Sequence, residues 1–215
     1  MSGLRERKKQ RTYQVISDAA ITLFLEKGFD QVSVAEVAAA AEISKPTLFR
    51  YFPAKEDLAL HRFADHVDEA ARVVADGRAE GLPPLDALRR HFLDGLCRRD
   101  PVTGLSDDAD VLAFHRLLYG TPSLVARLHT YVKRSEEELA AALDGSGPLD
   151  GSGPLDGPGP LASRLAAGQI VAVQRILAEE NWRRIEAGES AEEVLPGAVA
   201  AADLAFGQLR TGLRA

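Results

Sequence analysis

Apolar residues recur at spacings of three and four along almost the whole chain, and no stretch alternates apolar with polar positions between turn residues. That pattern predicts an all-α protein. The first helix is read from about Arg7 to Lys27, with Tyr13, Ile16, Ala20, Leu23 and Phe24 on one side and Gly28 as its C-terminal stop. Ser33 and Glu36 have the S-x-x-E spacing of a capping box and open a short second helix that ends near Ala41. Glu42 and Ile43 then make a turn. Ser44 caps a third helix, Lys45 to about Phe52, in whose first turn Pro46 loses no hydrogen bond. After Pro53 and Ala54, a fourth helix starts at Lys55 and is expected to reach Arg78, before Gly81, Pro83 and Pro84 close the segment.

Five further helices are expected, at Leu85–Cys97, Ser106–Tyr119, Pro122–Leu143, Ala162–Ala187 and Ser190–Thr211, which makes about nine in all. Ser190 and Glu193 repeat the capping-box spacing, and Pro196 is a point at which the last helix can kink or divide. Ile170, Val171, Val173, Ile176 and Leu177 spread too widely around their helix for one buried stripe, and Val199, Phe206, Leu209 and Leu213 form a second apolar row. This excess calls for a partner surface. Between the last two segments, residues 144–161 read DGSGPL, DGSGPL, DGPGPL, a flexible Gly/Pro/Ser linker too poor in apolar residues to bury a core of its own.

Composition changes this picture only where it is uneven. With 215 residues, 46% apolar and 27% charged, the chain can bury a substantial core, so wholesale disorder is excluded. The net charge of −6 argues against a nucleic-acid partner until it is placed along the chain. Residues 1–62 carry ten basic and eight acidic side chains, whereas the remainder carries sixteen and twenty-four. Basic density is highest at Arg5, Arg7, Lys8, Lys9 and Arg11, which answers either to contact with phosphate or the minor groove or to a solvated terminal charge run.

Cys97 is the single cysteine, so an intrachain disulfide and a Cys-based zinc site are excluded, and a reducing, cytoplasmic setting fits. No apolar run suggests a signal peptide or a membrane span. His61, His66, His91, His115 and His129 lack metal-ligand spacing, and no nucleophile elbow or phosphate-cradling loop is present, so neither a metal nor a cofactor nor an enzyme is expected.

Val34 to Phe52 has the layout of a helix-turn-helix: a short Ala-rich helix, a turn at Glu42-Ile43-Ser44, and a second short helix. Leu48 and Phe52 dock that second helix inward. Lys45, Thr47, Arg50 and Tyr51 face outward, either to meet a DNA groove or as an ordinary exposed face. The stretch SVAEVAAAAEISKPTLFRYFPAKEDL, Ser33 to Leu58, resembles the DNA-binding signature of the TetR family of bacterial regulators, and Arg11 to Phe29 resembles that family's first helix.

The resemblance implies a three-helix DNA-binding domain at 1–54, followed at 55–215 by a helical domain that binds a small molecule and dimerises through its last two helices. Carried over by position, it puts Ser33 at a phosphate, Lys45, Pro46 and Thr47 in the major groove, and Tyr51 and Lys55 on the backbone. Arg50 reaches either a phosphate or a guanine edge, and Ser44 and Phe49 complete the set. Three residues depart from the family pattern. Phe49 stands at a usual tyrosine and lacks its hydroxyl, Glu42 replaces a turn glycine and demands a left-handed or nearby conformation, and Pro46 replaces a common glycine.

For the second domain, Phe92, Phe114, His115, Tyr119, Tyr131 and Trp182 are the candidate pocket residues, set against their reading as plain core. Val173, Ile176, Leu177, Phe206 and Leu209 are the candidate dimer interface. The expectation is a cytoplasmic homodimer, a repressor released from a near-palindromic double-stranded DNA operator by a small molecule. The alternative is a ligand-independent or activating regulator whose second domain only dimerises or docks a protein.

Overall fold

Residues 2–64, 66–144 and 159–211 are described by a computed structural model, and every regular element among them is helical. The side chains of residues 2–6 and Lys8, most of the DGSGPL repeat, and Leu213 fall outside that description. Ten α-helices and one 3-10 turn are present among the described residues, where the periodicity suggested about nine. The difference is in the expected fourth helix, which is two: α4, Lys55–Ala64, and α5, Glu69–Ala79. Between them Val67 is buried, and the His66 Nδ1 meets a Glu69 carboxylate oxygen at 2.7 Å. Glu69 also meets His91 Nε2 at 3.2 Å, and the two imidazoles, His66 first, hold its carboxyl well below the usual carboxylate range.

The chain folds as two compact units, Met1–Asp65 with Ala113–Tyr131, and His66–Leu112 with Val132–Ala215. The division differs from a boundary after residue 54. In the first unit, α1 (Ser2–Lys27), α2 (Val34–Ala40), α3 (Lys45–Tyr51) and α4 are joined by residues of α7 (Ala109–Gly120) and α8 (Pro122–Leu143). Leu58, Ala59 and Leu60 of α4 share one apolar core with Ile16, Ala20 and Phe24 of α1 and with Leu118 and Leu124, which is why α4 cannot be separated from the N-terminal helices. Helix α1 starts at Ser2 instead of near Arg7, because the polar segment LRERKKQ consists largely of good helix formers.

In the second unit, α10 (Ala191–Thr211) packs on α6 (Pro84–Cys97) and α9 (Pro160–Glu186), and α5 packs on α6. The core is built from Leu88, Leu96, Leu105, Leu139, Leu143, Ile170, Val194 and Phe206, among others. Pro196 does not divide α10, which runs unbroken through it. Arg89–Asp203 and Arg210–Asp86 ion pairs lie across α6 and α10.

The segment after α6 is clamped against both long C-terminal helices. The 3-10 turn Pro101–Thr103 ends at Gly104, whose φ is +71°, and a Cβ there would lie 1.9 Å from the Ala178 carbonyl oxygen of α9. The buried Asn181 side chain donates to the Thr103 carbonyl at 2.9 Å. Asp107 accepts the Ala191 N–H at 2.9 Å, and that bond holds its carboxyl below the usual range.

Gly104→Ala is expected to destabilise the protein by about 3 kcal/mol or more, because backbone strain and a backbone clash coincide. Gly28, which ends α1 at φ +86° with nothing within 4 Å of a built Cβ, serves as the control. Its replacement by Ala should cost only about 1 kcal/mol. Equal losses in chemical denaturation would contradict the packing role of Gly104.

Candidate nucleic-acid interface

The second and third helices are each delimited by side-chain caps. Ser33 Oγ accepts the Glu36 N–H at 3.2 Å while Glu36 Oε2 accepts the Ser33 N–H at 2.8 Å, which completes the capping box read from the sequence. Lys27 adds an ion pair to Glu36 at 3.2 Å. Hydrogen bonds from Ser33, with help from Lys27, hold the Glu36 carboxyl at about 2, below its ordinary 4.5. Between α2 and α3, Glu42 adopts φ +55°, the left-handed conformation that its place in the turn demands. Ser44 then caps α3, accepting the Thr47 N–H at 3.3 Å and sharing a 2.8 Å hydrogen bond with the Thr47 hydroxyl.

Helix α3 is held from behind by aromatic packing. Leu48 and Phe52 are buried. The Tyr13 ring of α1 meets Tyr51 at 4.9 Å and Phe52 at 5.2 Å, both edge to face, and stacks on His61 at 5.0 Å. With that side occupied, Lys45, Pro46, Phe49 and Arg50 are left exposed on the other, and Thr47 and Tyr51 are half-buried. Lys45 lies 5.9 Å from the Phe49 ring centre and Arg50 lies 5.6 Å from that of Tyr51. Neither cation makes an ion pair among the described residues, so both charges face solvent.

Lys55 sits differently. Its ammonium donates to the Phe29 carbonyl at 2.5 Å and lies 4.3 Å from the Phe29 ring centre, so it anchors the loop after α1 to the start of α4. One contact had no local signal in the sequence. Asp57, buried near the start of α4, accepts two hydrogen bonds from Arg127, at 2.8 and 2.9 Å, one from the Tyr131 hydroxyl at 3.0 Å and one from the Ala54 N–H at 3.2 Å. Asp57 in turn raises the Arg127 pKa above its ordinary value.

The candidate pocket residues are not assembled within either unit. Phe114, His115, Tyr119 and Tyr131 belong to the first. There Phe114 stacks on Phe63 at 6.3 Å, the His115 and Tyr119 rings meet edge to face at 5.8 Å, and Tyr131 is engaged by Asp57. Phe92 and Trp182 belong to the second, where Phe92 is buried against Phe206 at 6.2 Å between ring centres.

The candidate interface residues also divide. Leu177 and Phe206 are core residues of the single chain, and Val173 and Leu209 pack against that core. Ile176 is 55% exposed. The outward faces carry instead Leu161 and Leu165 on α9 and Leu204 on α10. Phe206 and Leu177 are thus already buried within the single chain.

An exposed, cationic second helix in a capped helix-turn-helix has the geometry of a DNA-reading motif. The sequence profile described as "Bacterial regulatory proteins, tetR family" matches residues 16–61. The HTH-type transcriptional regulator TcmR of Streptomyces glaucescens is 38% identical over 136 residues, covering 63% of this chain and 58% of TcmR. The chain thus spans less than two thirds of that relative's length. NalD of Pseudomonas aeruginosa, the secondary repressor of the MexAB-OprM multidrug efflux pump, shares the fold with a TM-score of 0.57 at 18% identity, covering 91% of this chain and 97% of NalD. FadR of Thermus thermophilus, a TetR-family repressor solved with lauroyl-CoA, does so with a TM-score of 0.55 at 22% identity, covering 94% and 95%. The match to the TetR family thus covers residues 16–61, and beyond them the chain shares the fold of these structures.

The capping box carries a pH dependence of defined sign. Because the folded Glu36 value lies below 4.5, its contribution is complete above that pH and is lost as pH falls toward 2. Stability followed by far-UV circular dichroism should fall across that window as pH is lowered, and Glu36→Gln should flatten the response. An identical acid limb in the variant would contradict the assignment.

Proposed function

We propose that the protein is a homodimeric repressor that reads a near-palindromic operator through α3 and is released by a small molecule. The observation that carries the reading is the pair of exposed cations Lys45 and Arg50, without an ion pair among the described residues, on a helix locked from behind by Leu48, Phe52 and Tyr13. In this reading Arg50 and Lys45 meet base edges or phosphates and Pro46 and Phe49 lie against the groove wall. Thr47 and Ser44 then keep the helix start rigid, since their hydroxyls bond each other. Ser33 and Tyr51 meet the flanking backbone, and Lys55 supports the site from beneath.

Dimerisation is supported by the outer faces of α9 and α10. Leu161, Leu165, Ile176 and Leu204 are each more than half exposed, and a Cβ built at Gly168 or Gly207 meets nothing within 4 Å. Large apolar side chains beside such open small-residue positions suit close helix packing against a second copy. A two-fold dimer then presents two α3 helices about one DNA turn, ~34 Å, apart. Release by a small molecule is supported by the fold shared with FadR and requires a ligand that prefers the state unable to bind DNA. A ligand that raises the melting temperature should also lower operator affinity. His115 and Tyr119 are the first residues to substitute in testing for it.

Arg50→Ala and Lys45→Ala should each weaken operator binding and reduce the dependence of log K on log salt by about 1 per contact, with the dimer intact. Unaltered affinity in both would remove α3 from the interface. Ile176→Glu combined with Leu204→Glu should give helical monomers in sedimentation, with operator affinity strongly reduced. A persistent dimer would assign the association elsewhere.

A further inference from the structure

Helix α3 leaves Lys45, Pro46, Phe49 and Arg50 exposed, and the middle two of these are apolar. Pro46 and Phe49 are three positions apart and Lys45 and Phe49 four, so they adjoin on one helix face. Phe49 is 42% exposed and belongs to neither apolar core, whereas Leu48 and Phe52 of the same segment are buried. The helix is capped by Ser44 and packed by those two residues without any use of the Phe49 ring. Lys45 Nζ lies 5.9 Å from the ring centre, which joins a cation and an apolar surface in a single patch. A phenyl ring has no hydroxyl, so it has no hydrogen bond to offer a phosphate or a base edge.

We infer that Phe49 is a specificity-determining residue that reads the C5-methyl group of a thymine in the major groove. The inference rests on the DNA-reading role proposed for α3 and narrows one of its contacts to a single chemical group. Guanine, adenine and cytosine present hydrogen-bonding atoms in that groove, and the thymine methyl is the one apolar substituent among the base edges. Phe49 is the matching apolar surface on a face whose longer reach is cationic. Its direction also fits. Side chains on a helix lean toward the N-terminus, and the contact with Lys45 shows the ring doing so, toward the end of a recognition helix that meets base edges. Lys45 and Arg50 answer to guanine edges or phosphates, so the ring supplies a discrimination at T·A pairs that the cations lack.

The test uses the full chain and a duplex that it selects from a random pool. Each thymine of the two half-sites is replaced in turn by deoxyuridine, which removes the methyl and keeps every hydrogen-bonding group. At one position per half-site the wild-type protein should lose affinity about fourfold for each methyl. There 5-bromodeoxyuridine, whose bromine fills the place of the methyl, should restore it. Phe49→Ala should bind the thymine and deoxyuridine duplexes alike, whereas Phe49→Tyr, which keeps the ring, should retain the discrimination. Each comparison is a ratio within one protein, so a change in its folded fraction cancels. A selected half-site without thymine, or a scan in which no methyl matters, would overturn the inference. A deoxyuridine effect of equal size in Phe49→Ala would overturn it too, since the methyl would then act through DNA shape or another side chain. Arg50→Ala separates the two readings: it should weaken binding to both duplexes, and unaltered affinity counts against α3 as the reading helix. Weakened binding by Arg50→Ala beside a flat methyl scan counts against Phe49 alone.

Discussion

The buried carboxylate of Asp57 is the interaction on which the first unit depends. A carboxylate removed from water costs several kcal/mol unless its lone pairs are occupied, and here four donors converge on it from three places in the chain. Arg127 supplies a bidentate guanidinium, Tyr131 a hydroxyl and Ala54 a backbone N–H. The first two come from α8, 70 and 74 positions away, which is how residues 113–131 come to fold with the N-terminal helices. The Ala54 bond sets the chain's direction as it enters α4. Apolar packing of Leu58 and Leu60 against α1 then completes the same junction from the dry side.

Behind the exposed face of α3, rigidity is achieved by different means on each element. Helices of seven residues are too short to persist alone, so α2 and α3 rely on caps and on tertiary packing. The Ser33–Glu36 box and the Ser44 cap close their N-termini, while Tyr13, wedged among Tyr51, Phe52 and His61, fixes the angle of α3 from behind. Lys55 ties the loop after α1 to the same frame through a carbonyl and an aromatic face. The exposed cations are thus free to face a ligand because the hydrogen bonding and packing that hold α3 are done by other side chains.

Local signals carried most of what was legible. Caps at Ser33, Ser44 and Ser190, the stop at Gly28 and the left-handed turn at Glu42 each depend on residues within four positions of one another, and each is present. The contacts that escaped are long-range. Nothing near Asp57 names Arg127 as its partner. A helix with two apolar rows does not say which row faces its own core. Phe206 and Leu177 were drawn to the outside by the breadth of those rows, yet α6 takes one row of α10, and Leu204 is left on the surface. The break at residues 66–68 was invisible for a similar reason, since helix propensity is high on both sides of it and the buried Val67 acquires its environment only in the folded unit.

The loop after α6 has a role that its small size conceals. Gly104 is pressed on the backbone of α9, Asn181 of α9 grips the Thr103 carbonyl, and Asp107 holds the first N–H of α10. One short segment therefore gauges the spacing between two helices whose outer faces it does not touch. If those faces join two copies of the chain, the fit of the joint is set partly from behind. Sequence drift at residues 103–107 would then retune which copies pair, as a shim alters the seating of two plates, while every residue at the contact stayed the same.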